Sequence, residues 1–309
     1  MELESYDRPI PTLTTTLRRA AVLSSLHKRE ARPMAQDISA WLEARGVETR
    51  VDLQGEGDLR PVVEGCDLAV IAGGDGTILG IARRLAAADV EVPCVGVNVG
   101  KLGFLAEFSR DEALAVLEGK PIVEGLRPLS ARVVPRMMLR CRIRHRGKQS
   151  GIHEHIQYAL NDAVVTQGIP TRLIKIRLSV DGREATEYHA DGLVVSTPIG
   201  STAYSLSLGG PILTPTLRAM AVTPIAPHSL TNRPIVVSGQ SVLKLKVFTH
   251  AEQIALVLDG QEVRTLDLND EIEATGHDRP FLLASHGDRS FFDLLRAKFH
   301  WGMPPRHGV

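Results

Sequence analysis

The chain has 309 residues, 43% of them hydrophobic, so it is long enough to bury a core and to form about two domains. Its 36 Lys and Arg residues balance its 36 Asp and Glu residues, which excludes a general attraction to nucleic acid or to an anionic membrane. No apolar run approaches the ~20 residues of a membrane span, and the first residues have no signal-peptide core. Three scattered cysteines without metal-ligand spacing are typical of reduced thiols. We therefore expect a cytoplasmic protein with no membrane or nucleic-acid partner.

The N-terminal part predicts strands that alternate with helices. Strands are predicted in RAAVLSSLH, VETRVDL, CDLAVIAGG and VPCVGVN, and helices over residues 31–46 and in TILGIARRLAAA. This alternation indicates a parallel sheet covered on both faces.

Beyond about residue 127 the pattern changes to short β-rich runs separated by turn residues. Asp181-Gly182 and Asp259-Gly260 are hairpin signals. We expect a mostly β domain over residues 127–283. SFFDLLRAKF (290–299) is again helical in period, so we expect residues 284–309 to fold back onto an α/β domain formed by residues 1–126.

The stretch IAGGDGTILG (71–80) places Asp75 between glycines, where a buried strand turns into an amphipathic helix. Backbone amides at such a turn favour anions, with Thr77 as the expected N-cap. The stretch matches neither the P-loop nor the dinucleotide fingerprint. An acid beside phosphates is repulsive unless it binds a metal or accepts a proton from a nucleophile. The alternative is an Asp that only satisfies turn amides.

A second motif, DGLVVSTPIGSTAYSLSLGGPI (191–212), predicts a strand, a Gly-Ser loop and a short helix capped by Ser201 or Thr202. Its amides and hydroxyls offer a polar cradle, and Tyr204 offers a face for a nucleobase. A purely structural turn explains the pattern equally well. The stretch has no G-x-S-x-G elbow, which argues against a serine hydrolase.

Three further patterns favour ordinary roles. Arginines at period two form one face of a strand, which predicts a solvated hairpin face or a subunit contact rather than a nucleic-acid site; they are Arg140, Arg142, Arg144 and Arg146. His153 and His155 flank Glu154 without a third ligand, so we expect no metal site. Arg83 and Arg84 face away from the apolar stripe of their helix and are expected in solvent, with an ATP contact as the alternative.

Taken together, the motifs resemble the NAD kinase family. GGDGT (73–77), NVGKLGFL (98–105), Asn161-Asp162 and DGLVVSTPIGSTAYSLSLGGP match its signatures in order. GGDGT also has close versions in diacylglycerol kinases and phosphofructokinases, whereas the last signature is much more specific. The resemblance implies an α/β N-terminal domain with a parallel Rossmann-like sheet and a mostly β, sandwich-like C-terminal domain. It also implies transfer of the ATP γ-phosphate to the 2′-hydroxyl of the adenosine ribose of NAD, with Mg²⁺ or another divalent cation.

The resemblance also implies residue roles. Asp75 is the expected general base. The residues expected around the dinucleotide are Gly74, Gly76, Leu79, Phe104, Asn161, Asp162, Asp191, Thr202, Ala203, Tyr204, Ser207 and Gln261. Among these, Leu79 and Phe104 line the adenine side, Asn161 and Asp162 hold ribose and nearby polar groups, and Asp191 meets the nicotinamide end.

Some positions depart from the commonest family pattern. Arg172 and His189 stand where members vary with their preference for NAD or NADH. Asp162 replaces a more frequent Glu, and Ile199 replaces a small polar residue. The family further implies a homodimer or homotetramer. Two alternatives remain at this point: a lipid kinase of the diacylglycerol kinase type, and a non-catalytic dinucleotide sensor.

Overall fold

The computed structural model describes residues 8–24, 29–100, 102–120, 131–147, 151–167, 173–229, 231–248 and 254–302. These residues belong to two compact units. The first unit comprises Met1–Ile81, Val92–Pro135 and Leu282–Val309. The second unit comprises Ala82–Glu91 and Arg136–Phe281.

The described residues contain both helices and strands. The helices are α1 (Ala31–Glu43), α2 (Arg60–Val63), α3 (Asp75–Ala87), α4 (Arg110–Glu118), α5 (Tyr204–Ser207) and α6 (Phe291–Phe299), with a 3-10 turn at Gly200–Thr202. The strands are β1 (Arg8–Pro9), β2 (Arg19–Leu23), β3 (Glu48–Asp52), β4 (Leu68–Gly73), β5 (Cys94–Asn98), β6 (Ala131–Arg136), β7 (Leu139–Gly147), β8 (Gly151–Ala159), β9 (Asp162–Gln167), β10 (Ile174–Val180), β11 (Arg183–Ala190), β12 (Gly192–Ser196), β13 (Ala219–Ile225), β14 (Ile235–Ser238), β15 (Leu243–Val247), β16 (Ile254–Leu258), β17 (Glu262–Leu266), β18 (Glu271–Gly276) and β19 (Phe281–His286).

The first unit is built on a mostly parallel sheet with the strand order β1-β6-β19-β5-β4-β2-β3. The pairs β19-β5, β5-β4, β4-β2 and β2-β3 are parallel. Every residue of the apolar run LAVIAG in β4 is buried, as expected for a central strand covered on both faces. The sheet packs against α1 and α4 in one core that includes Ile38, Leu42 and Leu117. The predicted α/β architecture is confirmed.

The second unit consists mainly of two antiparallel sheets. Their strand orders are β11-β10-β15-β18-β7-β8 and β14-β13-β12-β9-β16-β17. Alternate residues of both sheets, such as Ile176 and Leu245 of one and Val165 and Leu256 of the other, are buried in a single core. This arrangement confirms the expected mostly β, sandwich-like fold.

Both predicted Asp-Gly turns connect antiparallel strands. Asp181 and Gly182 join β10 to β11 with φ angles of 51° and 78°, the left-handed conformation that two-residue hairpin loops need. Asp259 and Gly260 begin the loop between β16 and β17 with φ angles of 51° and 65°. Sequence and turn geometry agree at both places.

Two predicted helix starts are wrong. Helix α3 begins at Asp75, so Thr77 lies inside its first turn and is not the N-cap. Neither Ser201 nor Thr202 caps a helix: Ala203 precedes α5 without a side-chain cap, and the Ser201 hydroxyl donates to the Pro198 carbonyl at 2.6 Å. No helix of the described ranges is long and apolar enough to cross a bilayer.

Candidate functional site

The glycine loop lies at the carboxyl end of β4, the edge where open parallel sheets bind ligands. The Gly74 carbonyl accepts hydrogen bonds from the amides of Thr77 at 2.9 Å and Ile78 at 3.2 Å, which start α3. A Cβ on Gly73 would lie 2.4 Å from the Thr77 hydroxyl oxygen, so a side chain there would displace this turn. Asp75 thereby occupies the first position of the helix.

The half-buried Asp75 carboxylate is held by backbone amides from another part of the first unit. Its Oδ2 accepts from the Phe104 amide at 2.8 Å, and its Oδ1 accepts from the amides of Leu105 and Ala106, each at 3.0 Å. These donors lie at the end of the NVGKLGFL segment and at Ala106, which follows it, and not in the turn that contains Asp75. A carboxylate has about four lone-pair positions, so three donors leave one on Oδ2 to accept a further proton or hydrogen bond.

Gly103 permits this close approach. A Cβ at residue 103 would lie 1.9 Å from Asp75 Oδ1 and 2.6 Å from its carboxyl carbon. Because that space is taken by the carboxylate, any larger residue would push Asp75 away from its donors. The absence of a side chain at Gly103 therefore allows Asp75 to occupy its position.

The segment that holds Asp75 is itself anchored by the C-terminal part of the first unit. Glu107 is 2% exposed and accepts from the Ser285 hydroxyl at 3.1 Å and the His286 amide at 2.8 Å. The Phe104 ring stacks on Phe299 of α6, with ring centroids 5.4 Å apart. Of the two residues expected on the adenine side, Phe104 is thus half-buried against α6 and Leu79 is 6% exposed within α3.

The other predicted residues lie in the second unit, where Leu160 and Asn161 connect β8 to β9 and Asp162 begins β9. The side chain of Asp259 accepts hydrogen bonds from the backbone amides of this turn. Its Oδ1 accepts from the amides of Asn161 at 2.7 Å and Asp162 at 3.2 Å, and its Oδ2 accepts from the Leu160 amide at 3.1 Å.

The fourth donor to Asp259 is Arg83, whose expected exposure to solvent is wrong. Its Nη1 donates to Asp259 Oδ2 and its Nη2 to Gln261 Oε1, both at 2.7 Å. The side chains of Arg83 and Asp259 are 11% and 0% exposed. Sequence reasoning interpreted Asp259 only as a turn residue, because the DG pair is a sufficient hairpin signal and burial does not appear in a sequence.

The second signature packs against the carbonyl side of the same turn. Thr197 donates through its hydroxyl to the Leu160 carbonyl at 2.6 Å and through its amide to the Asn161 carbonyl at 2.8 Å. A Cβ on Gly200 would lie 2.0 Å from the Asn161 carbonyl oxygen. The structure therefore brings Asn161, Asp162 and the start of the signature together.

Asp162 is an unusual acid because it is 4% exposed at the start of β9, directly opposite Ser196 of β12. Burial, followed by the negative charge of Asp259, raises the pKa of Asp162 to about 7. This carboxyl group therefore changes its protonation state around neutral pH.

The remaining predicted residues surround β12 and its following turn. Asp191 and His189 lie at the opposite end of β12 from Asp162, because Gly192 pairs with Thr166 while Ser196 pairs with Asp162. Arg172 lies outside the described residues. The residues of the turn differ in exposure: Ile199 is buried, Thr202 and Ala203 are half-buried, and Tyr204 and Ser207 are exposed.

The arginine pattern and the histidine pattern lie on β7 and β8, in the other sheet of the second unit. Arg144 donates to Glu154 at 2.7 Å and approaches Glu271 at 3.5 Å, so cross-strand acids neutralise this basic face. His145 approaches Asp267 and Asp270 closely enough to share a cation, but its Nδ1 already lies 2.6 Å from Asp270 Oδ2 in a direct hydrogen bond.

Comparisons with known proteins agree with the motifs. The ATP-NAD kinase N-terminal domain family matches residues 56–120, and the ATP-NAD kinase C-terminal domain family matches residues 160–284. NAD kinases of Acidobacterium capsulatum and Geotalea daltonii are 38% and 37% identical to this chain, over 93% of it and 99% of their own length.

Solved structures give the same result for the fold. Yeast NADH kinase complexed with NADH has a TM-score of 0.81 at 24% identity and covers 98% of this chain and 91% of its own. An NAD kinase from Archaeoglobus fulgidus in complex with ATP has a TM-score of 0.66 at 27% identity, over 91% of this chain and 97% of its own. Two family domains in the expected order and full-length relatives above 30% identity leave no support for a lipid kinase or a sensor. The chain belongs to the NAD kinase family.

Proposed function

We propose that this protein is an ATP-dependent NAD kinase that phosphorylates the 2′-hydroxyl of the adenosine ribose of NAD to give NADP. The observation that carries the proposal is the Asp75 carboxylate, which three amides hold at the carboxyl end of β4 with one lone pair of Oδ2 left over. The relatives named NAD kinase and their matching length support the same reaction.

In the proposed reaction, Asp75 Oδ2 accepts the proton of the 2′-hydroxyl as its oxygen attacks the γ-phosphorus, and ADP leaves. Little covalent chemistry is required of the protein, so the rate depends on alignment of the hydroxyl with the phosphoryl group. Mg²⁺ enters as part of the Mg-ATP substrate and neutralises phosphate charge. Oxygen ligands from the phosphates suit this cation, and we assign it no protein ligand.

The remaining residues have binding roles in this proposal. Gly74 and Gly76 let the dinucleotide approach the loop, and Leu79 and Phe104 line its adenine side. Asn161, Asp162 and Gln261 bind ribose and neighbouring polar groups, and Asp191 binds the nicotinamide end. Ile199 and the run Thr202, Ala203, Tyr204 and Ser207 surround the substrate, while Arg172 and His189 bias the choice between NAD and NADH. In this proposal, residues 1–126 with 284–309 form the nucleotide-binding domain, and residues 127–283 form the NAD-binding domain.

The test is to incubate purified protein with Mg-ATP and NAD and to measure NADP with an NADP-specific dehydrogenase. We expect NADP to form, and Asp75→Asn to lose at least ~100-fold in kcat, within the usual range for a general base, while folding normally. Circular dichroism checks the fold. Absence of NADP from the wild type, or wild-type kcat in Asp75→Asn, contradicts the proposal.

Two further parts of the proposal concern the setting of the enzyme. We propose a cytoplasmic location, which the free thiols of Cys66, Cys94 and Cys141 support. We also propose a homodimer or homotetramer, on the family resemblance alone. Fractionation of cells with an antibody checks the first statement, and light scattering coupled to gel filtration checks the second.

A further inference from the structure

Four hydrogen-bond donors converge on the Asp259 carboxylate, which is fully buried. Three are the consecutive amides of Leu160, Asn161 and Asp162, at 2.7 to 3.2 Å, and the fourth is the Arg83 guanidinium at 2.7 Å. Such a carboxylate uses every lone-pair position that it has. A side chain with this many partners holds the atoms around it to a single geometry.

An Asp-Gly hairpin turn does not require this arrangement, because the chain contains a second Asp-Gly turn without it. Asp181 also precedes a glycine and has the same φ angle of 51° as Asp259. Its carboxylate is exposed and accepts from the Val242 amide at 2.8 Å and the Ser241 hydroxyl at 3.0 Å. The burial of Asp259 and its four partners therefore serve the turn of residues 160–162 and not the hairpin.

That turn carries Asn161 and Asp162, and it is fixed on both sides. Asp259 binds its amides, while Thr197 binds the carbonyls of Leu160 and Asn161. The directions of the Asn161 and Asp162 side chains follow from the backbone held between these two groups.

Arg83 neutralises the charge of Asp259 and also donates a hydrogen bond to Gln261. A buried carboxylate with no cation is costly, and the Arg83 guanidinium compensates its charge. Because guanidinium nitrogens form a rigid fork, the second arm of Arg83 holds the Gln261 side chain at a fixed distance from Asp259. The Arg83 guanidinium thus links the Asp259 carboxylate with the side-chain amide oxygen of Gln261.

We propose that Asp259 and Arg83 are positioning residues for NAD: Asp259 orients Asn161 and Asp162, and Arg83 orients Gln261. The inference rests on the proposed function, because the contacts of these three residues with NAD come from it. Neither Asp259 nor Arg83 is assigned a contact with the reacting atoms.

Folding stability and NAD affinity respond differently to removal of this pair. Loss of one charge leaves the other buried and unpaired, which destabilises the fold, whereas loss of both charges avoids that penalty. The amides of residues 160–162 lose their charged acceptor whenever Asp259 is replaced, alone or together with Arg83. A variant without both charges therefore separates a structural role from a positioning role.

The experiment compares Asp259→Asn, Arg83→Met and the double variant with wild type. Asp181→Asn is the matched control, since it changes the same residue type at the same turn position. The readouts are the melting temperature, the Kd for NAD by isothermal titration calorimetry without ATP, the KM values for NAD and ATP, and kcat.

We expect Asp259→Asn to raise the Kd and KM for NAD by at least ~10-fold, because an uncharged acceptor loses charge-assisted hydrogen bonds to the turn. The KM for ATP should change by less than about twofold, as for a loss confined to one substrate. Arg83→Met keeps the three amide bonds and should raise the KM for NAD by less. The double variant should regain most of the melting temperature but keep the weak NAD binding.

Three results would overturn the inference: wild-type NAD affinity in Asp259→Asn, recovery of NAD affinity together with stability in the double variant, or equal weakening in Asp181→Asn. If Asp259→Asn does not fold, the double variant decides. Failure of the proposed function is recognised separately, because wild type and Asp181→Asn would then form no NADP, whereas calorimetry still reports the positioning effect on NAD binding.

Discussion

The position of the Asp75 carboxylate depends on the small size of Gly103, a residue with which it forms no hydrogen bond in the described structure. Gly103 leaves the space that Asp75 Oδ1 occupies, and the following amides of Phe104 to Ala106 hold the carboxylate there. A general base acts only when its oxygen lies within hydrogen-bond reach of the proton that it accepts. In the proposed reaction, the KLGFL segment therefore affects the rate through its effect on the position of Asp75.

Gly103→Ala tests this dependence. The added methyl group would lie 1.9 Å from Asp75 Oδ1, so the carboxylate or the segment must move, and we expect kcat to fall by at least ~10-fold. Gly57→Ala is the control: it has a φ of +79° and no atom within 4 Å of the added Cβ, so it should cost stability and leave kcat unchanged. Wild-type kcat in Gly103→Ala would show that Asp75 does not need this space.

The protonation of Asp162 predicts how folding stability depends on pH. Its pKa is about 7 in the fold, above the ordinary value of 3.8, so the folded protein holds a proton that the unfolded chain has already released in this range. The stability contributed by Asp162 is complete below pH ~4 and is lost as the pH rises towards ~7.

We therefore expect Asp162→Asn to become more stable relative to wild type as the pH rises from about 5 to 8. Melting temperatures by calorimetry across this range measure the effect, and the exposed Asp278→Asn provides the control. A difference in melting temperature between Asp162→Asn and wild type that stays constant with pH would contradict the raised pKa.

Sequence reasoning selects residues whose proposed chemistry follows from their type and motif, such as Asp75 and Asn161, and their roles stay predictions. It missed the roles of Arg83 and Asp259, because their partners are distant in sequence: Arg83 and Asp259 are separated by 176 residues. A helical arginine opposite an apolar stripe is usually in solvent, and only the fold reveals a buried acid beside it.

At the scale of elements, the strands and helices with strong periodicity were predictable, but not all of their ends were. Strand β4 followed from its continuous apolar run, and α1 begins at Ala31 as predicted. The start of α3 was wrong because the rule for N-caps favours Thr77, whereas the tight glycine turn allows the helix to begin two residues earlier.

Helix α4 begins with a capping box that the sequence also contains, in Ser109 and Glu112. The Glu112 amide donates to the Ser109 hydroxyl at 3.3 Å, and the Glu112 carboxylate accepts from the Ser109 amide at 2.8 Å. These bonds satisfy two amides at a helix end that would otherwise lack partners within the helix.

Ser109→Ala should lower the free energy of unfolding by ~1 kcal/mol, the usual cost of an N-cap, without a change in kcat. Urea unfolding measures the loss. Ser109→Gly is the matched variant and should cost only a few tenths of a kcal/mol, because glycine is tolerated at this position. Equal stability of Ser109→Ala and wild type would exclude a contribution of the box.

At the scale of the whole molecule, charge balance is the dominant feature. The net charge is zero at neutral pH and the isoelectric point is about 7.2. Even the arginine-rich strand β7 follows this balance, since Arg142 and Arg144 face Glu273 and Glu271 across the sheet.

We expect solubility at low salt to be lowest near pH 7.2, because intermolecular repulsion vanishes as the net charge does. Static light scattering between about pH 5.5 and 9 measures the effect. A heparin column at ~0.15 M salt is a second readout, from which the protein should elute in the flow-through. Retention on heparin would reveal a basic surface that the balance conceals.

The order of the domains was predictable, since one half alternates helix and strand and the other contains hairpin signals. The assignment of individual segments to one unit or the other was less predictable. Compact packing assigns residues 82–91 to the second unit and divides the units after Pro135 and after Phe281. The functional boundaries at residues 126 and 283 stay a prediction, because periodicity does not reveal which unit a short segment joins.

Main-chain amides donate the three hydrogen bonds to Asp75, and this limits how mutations can remove these bonds. A substitution at residue 104, 105 or 106 exchanges a side chain but leaves the N–H in place, so most coding changes there cannot delete a donor. Proline is the exception, because it alone lacks that hydrogen. In a library of all single replacements, these three codons should tolerate varied side chains in proportion to their packing, while proline at any of them should abolish growth that depends on this enzyme.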